Sequence, residues 1–106
     1  MTITIHPLPG IPEVTTNSDL PQLLLTSIDA AGLALTDDDI VVVTHKIVSK
    51  AEGAVVPLVG DENAAYRKVV LDEAVDVIRR RGDLVIARTH HGFVCANAGV
   101  DRSNTA

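Results

Sequence analysis

Apolar and polar positions change rhythm several times along the 106 residues. The opening "TITIHPLPGIPEV" alternates at Ile3 and Ile5, which predicts an N-terminal strand. Pro7, Pro9, Gly10 and Pro12 then force an extended, non-helical loop. Leu20, Leu23, Leu24, Ile28 and Ala31 recur at helical spacing, with Ser18 as the expected N-cap and Asp19 in the first turn. "LTDDD" reads as a turn, and the β-branched run over residues 40–44 predicts a strand covered on both faces, in a mixed or parallel sheet. Residues 46–53 read as a turn or a short helix, and "AVVPLVG" as a candidate further strand. Over residues 62–81, the spacing of Tyr66, Val70, Ala74, Val77 and Ile78 predicts a second helix. Arg79, Arg80 and Arg81 would complement its dipole, and Gly82 would stop it. "DLVIART" and "GFVCANA" predict two strands around "HH". The expected fold class is α/β, a mixed α+β arrangement with a mixed sheet and two main helices.

Composition narrows this picture. At 46% hydrophobic, with positive mean hydropathy, the chain can bury a core. With one Tyr, one Phe and no Trp, that core must be aliphatic and offers little for stacking nucleobases. Length allows one small domain. A net charge of −5 argues against duplex nucleic acid or an anionic membrane as partner. The single cysteine excludes an internal disulfide framework and suits a reducing compartment. The first residues lack the charged region of a secretory signal, and no apolar stretch approaches the roughly 20 residues of a membrane span. A cytoplasmic protein with no membrane and no nucleic-acid partner is expected.

Four local groups could carry chemistry, and none is a familiar phosphate loop: G-x-x-x-x-G-K-[ST], G-x-G-x-x-G, C-x-x-C and H-E-x-x-H are all absent. "PGIPE" is a proline-stiffened loop that could present backbone N–H groups to an anion, or a plain connector. "THKIVSK" follows the predicted buried strand, where ligands of open α/β sheets collect. Its His45, Lys46, Ser49 and Lys50 either meet an anion there or form a solvated basic turn. "RTHHG" reads as a surface hairpin turn, and Cys95 as a small buried hydrophobe. "NAGVDRSN" places Asp101 among small polar residues, which suits either an oxygen ligand for a hard cation or an Asx-rich turn.

Taken in order, "GIPE", "DIVVVTHKIVSKAEG" and "GDLVIARTHHGFVCANAGVDRSN" resemble the N-terminal portion of the coenzyme F-420 gamma-glutamyl ligase family, across nearly the whole chain. The stretch between Gly53 and Val70 is the least distinctive. The resemblance implies a GTP-dependent enzyme of coenzyme F-420 biosynthesis. The terminal carboxylate of F-420-0 would be phosphorylated, and the amine of L-glutamate would displace phosphate from that acyl phosphate to form an amide. It further implies that Ile11, Pro12, Glu13 and Val14 line the nucleotide, that His45 and Asn104 contact it, and that Lys50 meets its phosphates. Asp101 would ligate Mg²⁺ or Mn²⁺, with K⁺ a further candidate, and family members form intertwined homodimers. Family ligase domains continue for well over a hundred residues, so residues 1–106 read as an N-terminal portion that stops just after Asn104, with the remaining metal ligands elsewhere. A fragment of this kind is expected to be inactive alone. The competing reading is a non-catalytic domain or a nucleotide-binding module.

Overall fold

The computed structural model describes residues 1–102, in the order helix, helix, helix, then three strands and a one-turn 3-10 helix. Helices α1 (Leu20–Ala30), α2 (His45–Ala51) and α3 (Glu62–Glu73) precede strands β1 (Ala74–Arg81), β2 (Leu84–Thr89) and β3 (Val94–Ala96). The chain divides into two compact units, Met1–Val55 and the part from Val56 onward. Helices and an antiparallel sheet together make the mixed α/β composition that the sequence predicts.

In the first unit, α1 begins one residue later than expected. The N-cap is Asp19, whose carboxylate accepts from the Gln22 N–H at 3.2 Å. Ser18 instead turns its hydroxyl back to accept from the Thr15 N–H at 2.9 Å. Pro21 falls in the first turn, where a missing N–H costs no helical bond. Leu20, Ile28 and Val14 are the buried apolar side chains here, and the buried Ser27 hydroxyl donates to the Pro9 carbonyl at 2.8 Å. That bond fastens the proline-rich segment to the helix. Residues 46–53 resolve as helix, contained in α2 and the turn after it.

Neither predicted strand of this unit forms, nor does the candidate strand in "AVVPLVG". Ile3 and Ile5 are exposed, and Ile40 and Val42 are each 88% exposed. β-Branched runs fit a pleated surface, but a strand also needs a neighbour to complete its ladder. No described residue supplies one to these segments.

The second unit holds the sheet, in order β1-β2-β3, antiparallel throughout. Here the predicted helix over residues 62–81 is corrected: α3 ends at Glu73 and the remainder is β1. Asp61 caps α3, its carboxylate accepting from the N–H groups of Asn63 and Ala64. Its last turn gives way at Ala74, which is already extended at φ −83° and ψ 129°. Val75, Val77 and Ile78 have poor helix propensity and fit a strand. The deciding influence is β2, which pairs with β1 from Ala74↔Thr89 to Arg81↔Leu84. Gly82 is therefore a hairpin-turn residue, at φ 60°, and not a helix stop. The three arginines sit on a strand end, where no dipole awaits them.

One face of this sheet is covered by α3. Val70, Val85, Ala87 and Ala98 form the buried cluster, with Tyr66, Ala74, Val77 and Val100 packed against it. Two register shifts along β1, between Ala74 and Asp76 and between Val77 and Arg79, keep Val77 on that covered face. Val70 is only 2% exposed, so Val70→Ala should destabilise this unit by about 2 kcal/mol. Val42→Ala, on an open segment, should change stability by less than about 0.5 kcal/mol. Urea denaturation of the two variants checks the contrast.

Candidate functional site

The proline loop of the first unit is held at both ends. Val14 is buried and Ile11 half-buried, while Pro12 and Glu13 are exposed between them. At Gly53, beyond α2, the backbone has φ 72°, and a Cβ there would meet Thr16 Cγ2 at 3.1 Å. Glycine alone combines that conformation with so close an approach. The turn after α2 thus lies against the end of the loop.

Across this junction, Lys50 Nζ donates to Glu13 Oε1 at 2.6 Å. The lysine side chain is only 15% exposed, whereas the glutamate is 77% exposed. The hydrogen bond from Lys50, reinforced by its positive charge, holds the Glu13 carboxyl below the usual carboxylate range. The geometry therefore presents an ammonium whose stem is packed and whose head already engages an oxyanion. Two predicted site residues 37 positions apart in sequence are brought together. His45 is exposed at the first position of α2. Five residues along a helix turn through about 140° beyond a full circle, so His45 and Lys50 project in different directions.

Asp101 belongs to the second unit, and its setting comes from the backbone before it. Asn97, Ala98 and Gly99 have φ values of 50°, 52° and 73°, three left-handed residues in succession. Each non-glycine residue in that region costs about 1–2 kcal/mol. Two contacts offset this cost: Ala98 is buried in the core, and Asn97 Oδ1 accepts the Val85 N–H at 3.1 Å. Beyond the turn, the Tyr66 hydroxyl donates to the Val100 carbonyl at 3.1 Å. Arg102 donates to Asn63 Oδ1 at 3.1 Å and lies 4.8 Å from the Tyr66 ring centre. The residues on either side of Asp101 are thus tied to α3, and the acid itself is exposed.

Sequence reasoning missed Tyr66, Asn63 and Arg102 as the supports of this segment. The Asn-x-Gly spacing of residues 97–99 is the one local signal that could have suggested a left-handed turn. Asn104 lies outside the described residues. Among the described residues, no group of three or more His, Cys, Asp or Glu side chains could hold a metal ion. The loop around Asp101 therefore offers at most part of a coordination sphere. His90 Nε2 lies 3.2 Å from the Asp72 carbonyl, at the end of α3, and His91 is exposed in the turn beside it.

Sequence comparison places this architecture in one class of enzymes. Residues 10–106 match the F420-0:gamma-glutamyl ligase family, and the chain belongs to it. It is 33% identical over 118 aligned residues to the coenzyme F420:L-glutamate ligase of Methanothermobacter thermautotrophicus, covering 98% of this chain and 47% of that protein. It is 34% identical to the enzyme of the same name from Methanopyrus kandleri, covering 97% of this chain and 44% of the relative. The Methanococcus maripaludis enzyme is also 34% identical, over 91% of this chain and 43% of its own length. The chain spans somewhat less than half the length of these curated relatives.

The Glu13–Lys50 pair carries a definite pH signature. Because the Glu13 pKa is depressed in the folded state, the stabilisation it brings is present above the ordinary carboxylate range and lost as pH falls through the depressed value. Carboxyl ¹³C NMR should place the Glu13 midpoint below that of an unpaired glutamate, and Lys50→Met should move it back up. An unchanged midpoint in Lys50→Met would remove the pair as its cause.

The left-handed turn makes a separate demand. Asn97→Ala loses the bond to Val85 and keeps the conformational cost, so it should destabilise by about 2–3 kcal/mol. Asn97→Gly, which relieves the backbone, should cost about 1 kcal/mol less. Equal losses in urea denaturation would contradict this account.

Proposed function

We propose that this chain supplies the nucleotide-facing part of a GTP-dependent ligase that joins L-glutamate to coenzyme F-420-0. A carboxylate and an amine do not condense in water without activation. Phosphoryl transfer from GTP to the F-420-0 carboxylate makes phosphate the leaving group, and the glutamate amine then forms the amide, with GDP and phosphate released. Family membership and the names of the relatives support the coarse reaction. The observation that supports the nucleotide reading most is the packed Lys50 ammonium engaging an oxyanion at the lip of the proline loop.

In this reading, Ile11, Pro12, Glu13 and Val14 line the nucleotide, and a phosphate oxygen takes the place that the Glu13 carboxylate holds at Lys50. His45 and Asn104 contribute further nucleotide contacts. Asp101 gives one oxygen ligand to Mg²⁺ or Mn²⁺, which would screen the polyphosphate, with K⁺ as an additional cation. The rest of the coordination sphere, and the homodimer through which the family's intertwined fold is completed, require chain that the relatives possess. In this reading the enzyme works in the cytoplasm. Among the described residues, no helix is long and apolar enough to cross a membrane.

The test joins this chain to the C-terminal remainder of the Methanothermobacter relative. Mass spectrometry after incubation with GTP, Mg²⁺ or Mn²⁺, L-glutamate and F-420-0 should detect the glutamylated product, and the chain alone should yield none. In the joined protein, Lys50→Ala should weaken GTP binding about tenfold or more, the scale of a lost charge-assisted contact. Asp101→Asn should abolish most turnover. Unchanged GTP affinity by calorimetry in Lys50→Ala, or full activity in Asp101→Asn, would overturn the respective assignment.

A further inference from the structure

The sheet of the second unit has a face that α3 does not cover, and its chemistry is uneven. Strand register puts Val77, Ala87 and Cys95 on the covered face. Residues on the opposite face then include Arg79 across from Ile86, Arg81 across from Leu84, and Asp76 across from Arg88. At the hairpin end, Arg79, Arg80, Arg81, Leu84 and Ile86 line an open hollow of about 400 Å³.

The charges there are not compensated. Asp76 is engaged by Arg88 at 3.5 Å, and Asp83 by Arg67 at 3.8 Å. No carboxylate among the described residues pairs with Arg79, Arg80 or Arg81. Arg79 and Arg81 thus stand on one face of β1 without a counter-charge, on a chain whose net charge is −5, while Arg80 lies across from Val85 on the other face. Like charges held this close repel one another, and an anion placed among them relieves the repulsion. The fork of a guanidinium suits phosphate, which accepts paired N–H bonds. Leu84, 43% exposed, and the half-buried Ile86 form an apolar floor beside the cations.

We propose that this arginine-lined hollow binds a phosphate ester with an apolar body, the phosphate on Arg79 and Arg81 and the apolar part over Leu84 and Ile86. The site is distinct from the Lys50 position, and it stands without the ligase reading. A second copy of the chain is a poor occupant, since Arg79 and Arg81 would face their own copies across a symmetric contact.

Phenyl phosphate and inorganic phosphate serve as probes, titrated into the isotope-labelled chain and followed by NMR. Both should shift signals of residues 79–86, with phenyl phosphate binding at least several-fold more tightly, and phenol should shift none of them at equal concentration. The double variant R79Q/R81Q, checked for intact fold by circular dichroism, should lose about tenfold or more in affinity. Lys50→Gln should leave these shifts unchanged. Shifts that follow Lys50→Gln, or that persist undiminished in R79Q/R81Q, would overturn the proposal. So would equal affinity for the two phosphates, or ligand-free signals at residues 79–86 that move with protein concentration, which would assign the face to self-association.

Discussion

The second unit depends on a left-handed turn that local preference opposes. Asn97 and Ala98 both adopt positive φ, and only their surroundings make that tolerable. The Ala98 methyl group fills the cluster beneath α3, and the Asn97 side chain satisfies the Val85 N–H of the neighbouring strand. Once the turn is set, β3 can pair with β2, and the segment carrying Asp101 leaves in a defined direction. Tyr66 and Asn63 then hold that segment from the helix side. Backbone strain, core packing and the exposed acid are therefore one linked arrangement, of the kind often found where a loop must present a group for binding.

The first unit solves a related problem with charge. A loop of four closely spaced prolines and glycines has few backbone bonds of its own, so it takes its position from what it touches. Ser27 holds Pro9, buried Val14 fixes the far end, and Lys50 reaches the exposed Glu13. An ion pair as exposed as this one contributes little to stability. Its significance lies in position: it marks where the chain already keeps a cation and an oxyanion together.

The family assignment gives both loops a chemical context, and the relatives' length gives it a boundary. Exposed β-branched residues at 3, 5, 40 and 42 have no sheet to join among the described residues, while the relatives have more than as much chain again. The arginine-lined end of the second unit's sheet is open for a different reason. It is rich in charge, so covering it requires a partner that brings negative charge with it.

Much of this was legible in the sequence. The 3.6-residue spacing of Leu20, Leu23, Leu24 and Ile28 determined α1, because that pattern buries one stripe whatever surrounds it. The strands β2 and β3 and the turn between them followed from alternation around His90 and His91. The motifs around Glu13, Lys50 and Asp101 carried the family. Tertiary structure decided the rest. Residues 74–81 satisfy a helical spacing as well as a strand, and pairing with β2 chose the strand by completing hydrogen bonds that extend through the sheet. Residues 40–44 have strand-forming side chains but no ladder, since pairing belongs to two segments and not to one. The approach of Lys50 to Glu13, and of Tyr66 to Val100, joins residues far apart in sequence. Periodicity reports only which face of a segment is apolar; which segments meet is settled when the whole chain buries those faces together.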